Sequence, residues 1–329
     1  MTPPAPGPGL AAAVEAAVAV LGDRARVDAP LAPLTTYRVG GPAAVLVEAA
    51  SVDDLLVVAA ARAASGLDCL VVGRGSNLLV ADEGVPAIVV VLGEAFATID
   101  IDHTVVRVGA AASLPVVARR TVAAGLTGFE WAVGVPGSIG GAVRMNAGGH
   151  GSDMAASLRS IRVVDLERGE DGEVPAAHLD LGYRRSSLVA HQVVVAATLD
   201  LAPGDRAAGE RELTDIVRWR REHQPGGHNA GSVFTNPAGD SAGRLIDAAG
   251  CRGLRVGSAE VSTKHANFIQ VDDGGRAADV IALMAEVRRR VAAHAGVVLH
   301  PETHLVPSTL RLPPPPAVPD PRPRPEVES

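Results

Sequence analysis

Residues 131 to 151 read WAVGVPGSIGGAVRMNAGGHG, and seven of the twenty-one are glycine. Glycine loses more backbone freedom on folding than any other residue, so this density is costly. It makes sense where backbone must come close to a large flat ligand and offer N–H donors to it. Val133, Val135, Ile139, Val143 and Met145, interleaved with the glycines, argue against a merely solvated loop. Two more glycine motifs lie upstream. VVGRGSNLLV follows the apolar DCLVV, and Gly73 and Gly75 allow a tight turn whose successive amides can cradle an anion. This is not the dinucleotide fingerprint: Leu78 stands where the third glycine would fall, and a β-type run follows instead of a helix. A plain tight turn is the competing reading. TTYRVGG sets Arg38 beside Gly40 and Gly41. Three such motifs in one N-terminal half imply a cofactor with a diphosphate and a large planar group.

With 329 residues the chain can form two or three domains. Aromatic residues are scarce at 2%, so Ala and Val must build the core. A net charge of −7, with both signs interspersed, opposes non-specific nucleic-acid binding. Cys69 and Cys251 sit in apolar surroundings and read as buried thiols in a reducing compartment. No signal peptide and no long apolar run is visible, so a cytoplasmic protein with no membrane contact is expected, as a monomer.

Helical periodicity marks residues 10–22 and 52–65, the latter stopped by Gly66. Short apolar runs at 68–73, 77–84, 87–93 and 103–111 read as strands, and residues 31 to about 98 as a small α/β unit. The hydrophobic stripe Val280, Leu283, Met284, Val287 and Val291 predicts an amphipathic helix. Gly204 with Asp205 resembles a boundary, and nine prolines in the last 23 residues exclude a packed core there. The expected division is a leader and N-terminal helix over 1–30, units over 31–98, 99–204 and 205–306, and a disordered tail over 307–329. The order of elements suggests an α+β protein.

Seven segments, TTYRVGG, GRGSNLLVADEG, GVPGSIGGAVRMNAG, GYRRSSL, NAGSVFTNPAGDSAGRLIDAAG, VSTKHANFI and LHPETHLV, resemble in order and spacing those of the UDP-N-acetylenolpyruvoylglucosamine reductases. The resemblance covers roughly residues 30 to 306. It implies the two-subdomain FAD-binding fold shared with vanillyl-alcohol oxidase and p-cresol methylhydroxylase, followed by a C-terminal α+β substrate domain. It also implies non-covalent FAD, bound by Arg38, Gly40, Gly73, Arg74, Gly75, Ser76, Asn77, Leu78, Gly134, Pro136, Gly137, Ser138, Gly140, Gly141, Asn146, Ala147 and Gly148. NADPH is the implied reductant, and a UDP-sugar enolpyruvyl ether the implied substrate, contacted by Tyr183, Asn236, Lys264 and His265. Asn267 is expected nearby.

The implied reaction delivers a hydride from flavin N5 to C3 of the enolpyruvyl group and a proton to C2. Ser232, in HNAGSVFTNP, lacks the flanking glycines of a hydrolase nucleophile elbow. On its own it reads as a turn serine; by the resemblance it is the proton donor. Arg184 matches the active-site arginine, although chemistry alone does not separate it from Arg185. Glu302 matches the catalytic glutamate, protonated to polarise the substrate carboxylate or ionised to orient a proton relay. His300, Glu302 and His304 alternate along one strand, but the outer Cα atoms would stand ~13 Å apart, so no metal site is expected. Thr235 and His150 depart from the family, which often has Lys and an aromatic residue there. With only Tyr37 and Tyr183, the chain resembles the group without a tyrosine-bearing substrate loop. Two other readings stand beside this one: a related flavin oxidase with FAD tethered to His or Cys, and a non-catalytic nucleotide binder.

Overall fold

The computed structural model describes residues 8–307 and 309–314, and the proline-rich start and most of the proline-rich tail lie outside them. The chain forms two compact units. The first comprises residues up to Leu34, Gly41–Ser76 and Glu83–Glu222; the second comprises Thr35–Gly40, Asn77–Asp82 and residues from His223 onward.

Two sheets build the first unit. In one, Arg26–Pro30 runs antiparallel to Pro42–Ala49, which is parallel to Val85–Leu92, itself parallel to Asp68–Val72. Helices α1 (Pro8–Leu21) and α2 (Val52–Ser65) share a core with it through Ala17, Leu21, Leu55 and Val58. Ser51 and Asp54 form a capping box at the start of α2, and Gly66 ends it in the left-handed conformation. The other sheet is antiparallel, in the order 170–175, 158–165, 192–200, 105–109 and 99–102. Its central strands are apolar on both faces. Ile161 and Ala197 join the core under α3 (Leu114–Ala123) and α4 (Ile139–Met145), while Val164, Val193 and Val195 join the α1–α2 core.

Three allocations differ from the expected division. The segment before residue 31 contributes a strand, Arg26–Pro30, as well as a helix. Helix α5 (Arg206–His223) does not open the C-terminal unit, because Leu213 and Ile216 insert into the core of the first. Its few apolar positions are the reason a polar helix looked like the start of something new. Leu78–Val80, expected in the first subdomain, pairs in parallel with His304–Val306 in the second unit. Such a pairing across more than two hundred residues leaves no local sequence mark.

In the second unit, 255–256, 259–261 and 269–271 form an antiparallel sheet, accompanied by α6 (Ala242–Ala248) and α7 (Ala277–Ala295). The apolar stripe of α7 is fully buried. The carboxylate of Asp82 accepts from the first two amides of this helix, Ala277 N and Ala278 N, at 2.8 and 3.1 Å. The expected tail begins differently from a disordered segment. Over 309–314, Leu312 packs on the core of this unit and the Pro313 carbonyl accepts from Arg288.

Candidate active site

In the first unit, two of the three glycine motifs meet. The turn Gly73–Ser76 follows the strand Asp68–Val72 and lies against the 134–141 segment. A Cβ on Gly73 would sit 2.4 Å from Ser138 Oγ, and one on Gly137 would sit 3.5 Å from Ser76 Oγ. Neither segment carries an acidic side chain. Backbone amides with two serine hydroxyls and Arg74 make a donor set suited to a diphosphate, which fits the FAD expected here. Ser138 also caps α4, accepting from Gly141 N at 3.4 Å.

Not every glycine of the long stretch serves a ligand. Gly140 donates to the Ala110 carbonyl at 2.9 Å, where a Cβ would press on Ala110 at 3.0 Å. Gly148 faces Asp153 in a short hairpin, and Gly134 backs onto Ile216 and His150. Asn146 ends α4 with φ 39°. Its amide donates to Asp153 Oδ2 and the Gly182 carbonyl, both at 3.1 Å, and its oxygen accepts from Ala155 N at 2.9 Å. Both amide hydrogens are therefore engaged in holding the fold. Ala147 lies between, accepting from Met154 N.

The Asn146–Gly182 bond fixes the turn that carries Tyr183 and Arg184. Gly182 and Arg185 close it with reciprocal backbone bonds of 3.0 and 3.1 Å. Arg184 takes φ 56°, a conformation costly for a non-glycine residue and associated with functional sites. Its Nη2 donates to the Gly148 carbonyl at 3.1 Å, and its guanidinium stands 5.2 Å from the Tyr183 ring centroid. Arg185 instead pairs with Asp180 on the exposed side. Arg184 is thus the arginine tied to the glycine-rich stretch, a distinction the sequence left open.

Ser232 and Glu302 belong to the second unit, where two motifs run against each other. Val233 N donates to the Asn267 carbonyl at 2.9 Å, Glu302 N donates to the Val233 carbonyl at 2.8 Å, and Phe234 bridges to Pro301. The buried amide of Asn267 grips Phe234 from both sides, accepting from its N–H at 3.0 Å and donating to its carbonyl at 2.8 Å. Asn267 is therefore foremost a clamp on the Ser232 segment. Asn77, expected at the cofactor, donates to the Glu302 carbonyl at 3.0 Å. Thr235, where many relatives carry Lys, donates to the His300 carbonyl. Arg38, Gly40 and Leu78 are also in this unit; Gly40 approaches Val80 so closely that a Cβ would lie 2.6 Å from it.

Ser232, Asn236, Lys264 and His265 line one cavity of about 340 Å³, with Asn267 in its wall. Glu302 reaches this segment through its backbone and is not part of the lining. Asn236 Oδ1 also accepts from Ala242 N at 3.0 Å, anchoring the start of α6. Arg244, Asp247 and Arg252 also line it and were not anticipated. Helical spacing puts Arg244 and Asp247 on one face of α6, a signal readable once Ser241 is recognised as its cap. Arg252 is held by Asp247 at 2.5 Å and donates to the Thr263 carbonyl at 2.8 Å. Burial, and then the nearby Arg252, lower the His265 pKa. Its Nδ1 accepts from Asn267 N at 3.3 Å, so the neutral ring carries its proton on Nε2. Arg244 and Arg252 are ion-paired with Asp240 and Asp247, and the positive charge left over with Lys264, beside hydroxyl and amide groups, suits a phosphorylated anion.

The comparisons with known proteins agree with this division of labour. A model described as "FAD binding domain" matches residues 43–171, and one described as "UDP-N-acetylenolpyruvoylglucosamine reductase, C-terminal domain" matches 223–306. The UDP-N-acetylenolpyruvoylglucosamine reductase of Paramagnetospirillum magneticum is 44% identical over 84% of this chain and 90% of its own. That of Erythrobacter litoralis is 43% identical over 89% and 92%. The crystal structure of the Thermus caldophilus reductase superposes with a TM-score of 0.75 at 37% identity, covering 85% of this chain and 99% of its own. The chain belongs to the UDP-N-acetylenolpyruvoylglucosamine reductase family. Membership in that reductase family, with an FAD-binding domain in place, makes it an FAD-dependent oxidoreductase. Among the described residues, no helix is long and apolar enough to cross a membrane, and no three His, Cys, Asp or Glu side chains gather as metal ligands.

Proposed function

We propose that the chain reduces UDP-N-acetylglucosamine enolpyruvate to UDP-N-acetylmuramate with NADPH, in the cytoplasm, as a step of peptidoglycan precursor synthesis. The observation that carries this reading is the cavity that holds Ser232 together with Asn236, Lys264 and His265. The Gly73–Ser76 and Gly134–Gly141 segments would hold FAD, which when bound would supply the hydride-transfer chemistry that reduction at C3 requires. Ser232 then gives its hydroxyl proton to C2. A serine is a poor acid in water, so the step depends on negative charge held close to it in a site that excludes water. Arg184 binds the substrate carboxylate with its planar fork and strengthens its hold as charge develops there. Glu302 completes the set, its backbone locked to the residue after Ser232. Lys264, Arg252 and Arg244 supply the positive charge that a diphosphate needs.

We read the chain as one of the group without a tyrosine-bearing substrate loop, which is supported by its having only two tyrosines, Tyr37, fully buried, and Tyr183, in the Arg184 turn. NADPH and substrate are read as alternating in one pocket. Purified protein should carry flavin that is released intact on denaturation and, under anaerobic conditions, should oxidise NADPH beyond one equivalent per flavin only when the enolpyruvyl ether is supplied. Colourless protein, or NADPH oxidation indifferent to that ether, would overturn the proposal.

A further inference from the structure

The reductase family model ends at residue 306, but this chain continues. Residues 309–314 are placed against the second unit, with Leu312 packed on its core. Beneath them lies Arg288, on α7, only 7% exposed. Its Nε donates to the Leu299 carbonyl at 3.1 Å and its Nη1 to the Pro313 carbonyl at 2.9 Å. One rigid fork therefore joins the C-terminal extension to the segment that carries Glu302. That segment is in turn fastened to the Ser232 segment: the His300 carbonyl accepts from Thr235 N at 2.9 Å, and Glu302 N donates to the Val233 carbonyl.

We propose that residues 309–314 are a strap that, through Arg288, fixes the Leu299–Glu302 segment against the Ser232 segment, with Arg288 as a positioning residue. This rests on the roles given to Ser232 and Glu302 above. A buried guanidinium whose partners are backbone carbonyls needs those partners, because an unsatisfied buried donor is costly. Without the strap, water reaches Arg288, the fork has one fixed anchor left, and the Leu299 carbonyl is held less firmly. Proton delivery then suffers through misplacement, and the flavin's reaction with NADPH does not.

The test compares a chain ending at Pro307 with one ending at Pro314, which keeps the strap, each as purified flavoprotein. Hydrogen exchange at the Thr235 and Glu302 amides should quicken by about tenfold in the shorter chain alone. The rate of flavin reoxidation by the enolpyruvyl substrate should fall about tenfold, less than a full ångström of misplacement costs. Flavin reduction by NADPH should stay within about twofold, a change below what a surface substitution causes. R288K, which cannot span both carbonyls, should reproduce the effect. If the shorter chain does not fold, L312S in the full-length protein reads the same contacts. Exchange and reoxidation both unchanged in the truncated or L312S protein and in R288K, or both half-reactions falling together, would overturn the strap. Wild-type protein that never reoxidises on the substrate would instead sink the reading of the site, and the exchange comparison would still decide the strap.

Discussion

Replacing Asn267 with Ala removes the clamp on Phe234 and tests whether the Ser232 segment is held as described. Phe234 is 1% exposed, so its N–H and carbonyl cannot turn to water once the amide is gone. Each orphaned buried group costs about 1–3 kcal/mol, and two together about 2–4 kcal/mol after local relaxation. The Val233 N–H bond to the Asn267 carbonyl survives, because it is backbone to backbone. The segment should therefore loosen at Phe234 and not detach. Urea unfolding should show the full loss. Turnover should fall roughly tenfold or more as Ser232 loses its fixed position, with flavin content unchanged. Asn267→Asp keeps the acceptor for Phe234 N but loses the donor to its carbonyl, and should be no better than Ala. A loss below about 1 kcal/mol, the net value of a single ordinary hydrogen bond, with normal turnover would refute the clamp.

Arg184→Lys should lower turnover by about 100-fold or more, the scale for removing one transition-state donor, while Arg185→Lys should change it by less than about twofold; equal effects in a steady-state assay would reverse the assignment. Gly73→Ala brings a methyl to 2.4 Å from Ser138 Oγ and should reduce flavin retention, read as the flavin-to-protein ratio; stoichiometric flavin after dialysis would show that the two loops do not form the cradle. Hydrogen bonds from Arg289 and then Arg290 hold the Glu286 carboxyl at about 2, below its ordinary 4.5. Its contribution to stability is thus complete above pH 4.5 and is lost as pH falls toward 2. Glu286→Gln should therefore be less stable than wild type near neutrality and converge with it in acid; a gap that does not change with pH would contradict this.

Periodic and compositional signals carried much of this fold. The α7 stripe is buried as spaced, and the glycine loops at 73–76 and 134–141 do come together. Pairings between distant segments were not legible. Leu78–Val80 reads as one more apolar run, and nothing local says that its partner is His304–Val306. Helix α5 was misallocated because two buried side chains, Leu213 and Ile216, outweigh sixteen mostly polar neighbours in deciding where it packs. At the site, motif residues were legible as important but not in their manner of acting. Asn77, Asn146 and Asn267 read as ligand contacts, and that their amides also hold carbonyls of Glu302, Gly182 and Phe234 was not legible. A motif records that a residue type matters at a position. Whether its side chain faces a ligand or a strained turn depends on chain brought in from elsewhere. Arg244, inside the NAGSVFTNPAGDSAGRLIDAAG segment, and Arg252, two residues beyond it, carry no local mark of their own and line the cavity only once α6 and the chain after it have folded.

The central claim is that Ser232 protonates the substrate while taking no part in flavin reduction. Anaerobic rapid mixing separates the two steps. NADPH should bleach the flavin at similar rates in wild type and Ser232→Ala. The enolpyruvyl ether should then restore the oxidised spectrum in wild type and do so at least ~100-fold more slowly in the variant, the range for loss of a positioned general acid. Equal reoxidation in both proteins, or bleaching that slows as much as reoxidation does, would contradict it.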